Sequence, residues 1–403
     1  MRRIRVLSLG LILLASALAV AADGQAPVTP PATQPTSART AADTQPANQV
    51  RQVDLAICLD TSGSMDGLID SAKQKLWAVV NELATAKPRP LLRVALYQYG
   101  NDGLQQENGW VQRVCDLTDD LDTVYEKLFA LKTNGGTEYV ARVVRAASDE
   151  LKWSPQKNAL KIIFVAGNEP ATQDGKYKLK DVCSATIAKG IIVNTIFCGD
   201  EATGRSTGWA DAANWADGRF AAIDQDKGTV AIVTPFDKKL ADLGTELNTT
   251  YLAYGTSAPA SAARQVAQDA NAETAGAPVA AQRALAKASP LYRNAGWDMV
   301  DAARESRLNI KEMKEEDLPA KMKKMTPDER QAFVDQQAKR REALQKEIQD
   351  LGLKRDTYVK EQMAKQGLTE KAAFDGVLRA AIRQQAQAKD FQFENPPDTQ
   401  PAK

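Results

Sequence analysis

Between Val53 and Tyr254, short apolar runs alternate with segments whose apolar residues recur every three or four positions. Residues 53–60 form the first strand pattern, and Leu68, Ile69, Ala72, Leu76, Val80 and Leu83 mark one face of the helix after it. Strand patterns at 91–99 and 110–117 precede two more helical faces, one on Leu121, Val124, Leu128 and Leu131, the other on Val140, Val143, Val144, Ala147 and Leu151. Residues 160–165 are apolar throughout, as expected of a strand covered on both sides. A helix through Leu179, Val182 and Ile187 runs to Gly190, a residue suited to the left-handed cap, and a strand at 191–198 follows. A short helix at 209–215, a strand at 220–223 and a helix through Leu240, Leu243, Leu247 and Tyr251 complete the series. Alternation sustained over residues 51–254 predicts an α/β domain, a mostly parallel sheet between two layers of helices.

The flanking segments differ in kind. Residues 1–22 have a basic head, an apolar core and small residues spaced for cleavage near Ala21 or Ala22, and read as a signal peptide. An uncleaved anchor is the rival reading, since the apolar run approaches spanning length. The chain is therefore expected to be exported, periplasmic or secreted, and membrane-tethered only if the signal is retained. Residues 23–50, rich in Pro, Thr, Ala and Gln, read as a disordered leader. Residues 255–280, rich in Ala and Ser, read as a linker. Residues 281–403 are charged and helical. Leu344, Ile348, Leu351 and Tyr358 give a 4-3 seam broken by Arg355, and Phe374, Leu378 and Ile382 mark a second face. These predict an antiparallel, coiled-coil-like hairpin. The basic runs at 321–324 and 339–341 read as solvated helix faces.

Composition narrows the chemistry. The chain's 403 residues contain no histidine, which removes Ser-His-Asp and Cys-His catalysis and imidazole-based zinc sites. A bound metal would be held by oxygen, which points to Mg²⁺, Mn²⁺ or Ca²⁺. Fifty-two basic residues against 51 acidic ones leave no global field to attract nucleic acid. Cys58, Cys115, Cys183 and Cys198 would meet an oxidising compartment. Buried free thiols and a Cys183–Cys198 bridge are the two readings.

The chemistry-bearing stretch is DTSGSM, residues 60–65, where the first strand gives way to a helix. In an open parallel sheet, ligands gather at the carboxyl ends of strands. Asp60, Ser62 and Ser64 place one carboxylate and two hydroxyls on that turn, a hard-oxygen set that leaves a divalent ion undercompensated and open to an incoming carboxylate. The plainer reading is that a serine caps the helix. Capping explains one hydroxyl, but neither Asp60 nor the glycines at 135 and 136.

DTSGSM after an apolar strand resembles the von Willebrand factor A domain and its metal-ion-dependent adhesion site, whose first motif is Asp-x-Ser-x-Ser. The family's second element is a threonine between helices, and TNGGTEYV offers Thr137. Its third is an aspartate after a later strand. In IIFVAGNEP, Ala166 stands there, with Asn168 and Glu169 as candidate substitutes. The resemblance covers about half the chain. It implies a six-stranded, doubly wound, Rossmann-like sheet and one site for Mg²⁺, or for Mn²⁺ or Ca²⁺, weak at rest because of Ala166.

The expected function is non-catalytic. A divalent ion on Asp60, Ser62, Ser64 and Thr137 would be completed by an Asp or Glu of a protein partner, within a bacterial envelope. One alternative is a metal-independent interaction protein that self-associates through its C-terminal helices. A phosphatase-like hydrolase is the other, but that chemistry uses Asp-x-Asp and Ser62 stands at the second position. No catalytic residue is assigned.

Overall fold

The first apolar run forms β1 (Arg51–Asp60), which lies inside a six-stranded sheet with neighbours on both edges. The computed structural model describes residues 51–223, 232–366 and 374–393. The signal-peptide and leader readings at 1–50 lie outside them. After β1 come α1 (Asp66–Ala84), a two-residue strand β2 (Ala86–Lys87), β3 (Pro90–Tyr99), β4 (Val111–Thr118), α2 (Leu121–Phe129), α3 (Val140–Glu150) and β5 (Leu160–Gly167). The series continues with α4 (Leu179–Ala188), β6 (Ile192–Cys198), α5 (Glu201–Ser206), α6 (Trp209–Trp215), β7 (Phe220–Ile223) and α7 (Asp237–Asn248).

The sheet order is β4-β3-β1-β5-β6-β7. Only β3 and β4 pair antiparallel; the other neighbours are parallel. Strands build outward from β1 on both sides, so the winding reverses beside it. That reversal opens a crevice at its carboxyl end. The expected mostly parallel, doubly wound sheet is what the chain forms.

Residue alternation assigns the two faces. Leu55, Leu59, Leu96 and Phe164 pack with Leu68, Ile69, Val124 and Leu128 of α1 and α2. Ala56, Cys58, Ile163 and Val165 pack on the other side with Val144, Val182 and Trp209 of α3, α4 and α6. Each fully buried large aliphatic side chain contributes roughly 1.5–3 kcal/mol, so β5, apolar on both faces, has its place fixed in the interior. All four cysteines are free. The Cys183–Cys198 bridge is not formed: Cys183 packs in the α4 layer and Cys198 in the α1 layer, with the sheet between them.

Two expectations for the C-terminal part are corrected. The segment read as a linker at 255–280 is helical, carrying α8 (Ala258–Thr274) and the start of α9 (Ala277–Ala288). Alanine is the strongest helix former, and the prolines sit in the first turns, where their missing N–H costs nothing. Arg264 ties α8 to Asp120 and Glu126 beside and within α2, at 3.1 Å each. Then follow α10 (Met299–Arg304), α11 (Pro327–Lys365), α12 (Phe374–Gln387) and β8 (Gln392–Phe393).

The last two long helices do not form the expected hairpin. Leu344 and Ile348 of α11 pack with Leu240, Leu243 and Leu247 of α7 and with α9. Leu378, Ala381 and Ile382 of α12 cover the α1 side of the sheet, and β8 pairs antiparallel with β2. Leu344 and Ile348 of one seam and Leu378 and Ile382 of the other are thus used within the fold, and the described residues make one compact unit. Arg355, which breaks the seam, is buried 2.7 Å from Asp237. Arg341, within a run expected to be solvated, is 1% exposed.

Candidate metal centre

β1 ends at Asp60, which is fully buried. The turn beyond it is clamped to two other loops. The Thr61 N–H donates to the Tyr99 carbonyl at 2.8 Å, and Gly63 N–H to the Gly135 carbonyl at 2.7 Å. Asn134 N–H and Asn101 Nδ2 both donate to the Thr61 carbonyl, at 3.0 and 3.2 Å. The plain capping reading fails: α1 starts after Met65 with no side-chain cap, and Met65 N–H donates to the Ser62 carbonyl instead. The hydroxyls are left for other work. Ser62 Oγ lies 3.3 Å from Ser64 Oγ, which accepts from Asn168 Nδ2 at 2.9 Å.

The glycine pair is required by this clamp. At Gly136 (φ +145°), a Cβ would stand 1.9 Å from the Gly100 carbonyl oxygen and 2.8 Å from Ser62 Cβ. No side chain fits there. The loop is thus pressed against the serine turn, and it carries Thr137, half-buried, and then Glu138, buried. A Cβ on Gly100 would meet Asp60 Oδ1 at 2.7 Å and Glu138 Cγ at 2.8 Å. The two acids therefore flank one small space.

Asp60 is only half satisfied. Oδ1 accepts the Ser62 N–H at 2.8 Å, while Oδ2, also buried, has no hydrogen-bond partner. Burial above all pushes the Asp60 carboxyl up to about 7; the Ser62 N–H opposes the shift, while the charges of Glu138 and Glu169 add to it. Glu138 is raised as well, chiefly by burial. Asn168 Oδ1 is a second buried oxygen without a partner. Buried polar groups in folded proteins are nearly always paired, so two orphaned oxygens in one crevice mark a place built for something else.

The donor set fits a hard cation. A carboxylate, two hydroxyls, the Asn168 carbonyl and the Thr137 loop supply oxygen only. Among the described residues, no group of three or more Asp, Glu, Cys or His could hold a metal by itself, so an ion here would depend on neutral oxygens. The structure brings Asp60, Ser62, Ser64 and Asn168 together. Glu169 is exposed and reaches Asp60 only through its charge. Its carbonyl accepts from Trp209 Nε1 at 2.8 Å, so Trp209, which packs in the core on that side of the sheet, also fixes this loop.

Ala166 is buried in the apolar layer with Leu59, its register partner, and Phe164. Asp60, one residue on, turns to the other side of the sheet. Glu138 is the residue that sequence reasoning missed. Its signal was adjacency to Thr137 in a loop read only for its glycines and threonine.

Fold and site together define an α/β domain with an oxygen-lined crevice at the switch point of its sheet. Residues 55–169 match the family model of the von Willebrand factor type A domain, and the chain carries a domain of that family. Among solved structures, BatB from Bacteroides thetaiotaomicron is similar at 15% identity, covering 43% of this chain and 94% of that one, with a TM-score of 0.34. The VWA domain of SpRpn10 shows 18% identity over 43% of this chain and 88% of its own, with a TM-score of 0.34. Proximal thread matrix protein 1 from the mussel byssus, solved with a zinc-occupied MIDAS motif, shows 14% identity over 44% of this chain and 43% of its own, at a TM-score of 0.34. No curated protein matches the sequence.

Proposed function

We propose that this chain is a metal-assisted protein-binding module of a bacterial cell envelope, without catalytic activity. The observation that carries the reading is the unpartnered, buried Oδ2 of Asp60 at the carboxyl end of β1, beside hydroxyls that cap no helix. When bound, Mg²⁺ (or Mn²⁺ or Ca²⁺) supplies a hard positive centre that accepts a carboxylate oxygen from another protein. The chain's own residues do the rest. Asp60 provides charge, Ser62, Ser64 and Thr137 provide neutral oxygens, and Asn168 holds Ser64. The Gly135–Gly136 turn keeps the second loop close enough to act.

The export half of the reading rests on the N-terminal sequence. No helix among the described residues is long and apolar enough to cross a membrane. The partner surface presents an Asp or Glu. Retention of envelope proteins on the immobilised chain, with and without chelator, tests the whole. Loss of retention with chelator and in a Ser62→Ala/Ser64→Ala variant is expected; retention indifferent to both refutes the metal role.

A further inference from the structure

Resting on that metal reading, we propose that Glu138 supplies the second carboxylate of the ion site, on the α3 side of the crevice, in place of an acid at the end of β5. The β5 side cannot furnish one as this chain stands. Ala166 lies in the apolar layer with Leu59 and Phe164, its carbonyl takes the Tyr99 hydroxyl at 3.0 Å, and Glu169 is exposed.

Glu138 has the placement. It is 8% exposed, and a Cβ added to Gly100 would touch both it and Asp60. A Cβ on Gly136 would stand 3.0 Å from Glu138 Oε1 and 2.8 Å from Ser62 Cβ, which sets the Glu138 carboxylate beside the first serine of the motif.

Charge balance points the same way. Two buried carboxylates facing one gap repel unless a proton or a cation sits between them. The orphaned Asp60 Oδ2 and Asn168 Oδ1 are the independent mark that a ligand, not only a proton, is accommodated. Two carboxylates also change what the site is. It holds its ion before any partner arrives, with lower residual positive charge, so a partner's acid is drawn less strongly than to a one-carboxylate site.

The test titrates Mn²⁺ into the metal-free full-length chain by calorimetry and records melting with and without the ion. Glu138→Gln keeps size and hydrogen bonding while removing charge. It is expected to weaken Mn²⁺ binding by at least about tenfold and to leave the metal-free melting temperature unchanged or higher, because a repulsion is removed. Glu169→Gln removes an equal but exposed charge and is expected to weaken binding by less than about threefold. Equal affinity of Glu138→Gln and the unaltered chain overturns the inference and leaves the metal reading intact. A lower metal-free melting temperature with affinity unchanged also overturns it, because it makes Glu138 a packing residue. No binding by the unaltered chain overturns both.

Discussion

Two buried aspartates in this molecule live on opposite terms. Asp298, at the N-terminal cap of α10, has both oxygens fully employed. Oδ1 accepts from Leu252 N–H at 2.7 Å and Arg341 Nη2 at 3.2 Å, and Oδ2 accepts from Asp301 N–H at 2.9 Å and Arg341 Nη1 at 2.7 Å. Asp60, equally buried at the end of β1, has one backbone donor on Oδ1 and, among the described residues, no hydrogen-bond partner on Oδ2. A buried charge satisfied by its own chain joins parts of the fold. A buried charge left open costs stability, and the fold retains it where another molecule completes it. The C-terminal helices and the sheet end thus separate holding together from binding.

The sharpest way to break this contrast is at Arg341. Its guanidinium also donates to Asp301 Oδ1 at 2.9 Å and to the hydroxyl and carbonyl of Thr250 at 3.1 and 2.8 Å. Arg341→Ala strands Asp298 in the interior and is expected to cost about 3–5 kcal/mol in urea unfolding. A loss below about 1 kcal/mol means that the network is incidental and α11 is held by apolar packing alone.

The opposite behaviour is expected at Asp60. Asp60→Asn keeps an acceptor for the Ser62 N–H and removes the uncompensated charge. In metal-free protein it is expected to leave stability unchanged or raise it by about 1 kcal/mol. The unaltered chain should gain about 2.7 kcal/mol from an ion at a hundred times its dissociation constant, and the variant nothing. Thermal shift with and without chelator reads both. A variant that still gains from the ion places the binding elsewhere.

Which region was legible in the sequence follows from the same distinction. DTSGSM could be read because strand, turn and donors lie within six residues, and the alternation of 51–254 because each element buries a face set by its own period. Arg341 and Arg355 could not: their partners, Asp298 and Asp237, lie 43 and 118 positions away. A charged residue in a helical pattern looks solvated until its counter-ion is known. Glu138 was hidden for a related reason, since only the clamp of the glycine loop on Gly100 and Ser62 brings it to Asp60. The helices at 258–288 were hidden by composition: small residues that suit a linker also make good helices.

A third prediction uses pH to probe the satisfied region a second time. Asp269 of α8 lies 2.6 Å from Lys287 Nζ and 2.8 Å from Arg283 Nε of α9. Burial raises its carboxyl, but the charges of Lys287 and Arg283 outweigh this and hold it below the ordinary value of 3.8. A folded-state pKa below the unfolded one means that the unfolded chain takes the proton first. The stabilisation is therefore present above about pH 4 and lost as pH falls through the lower, folded value. The gap in stability between the unaltered chain and Asp269→Asn should close on acidification. A gap that stays constant down to pH 2 shows that the pair does not carry net charge stabilisation.

The smallest expected effect separates a helix held by its own sequence from one held by its partners. α11 begins with a full capping box: the Thr326 hydroxyl accepts from Glu329 N–H at 3.3 Å, and Glu329 returns a carboxylate to Thr326 N–H at 2.7 Å. The cap is exposed and acts on one turn of a 39-residue helix. Thr326→Ala should cost about 1 kcal/mol, well short of the loss at Arg341. If the two substitutions cost the same, α11 owes its place to local propensity, and the buried arginine cannot be what fastens it. If the cap costs little and the arginine much, the helix stays docked through contacts far along the chain. The loss at Arg341 should then also loosen α10, whose first turn is capped by Asp298 through Asp301 N–H.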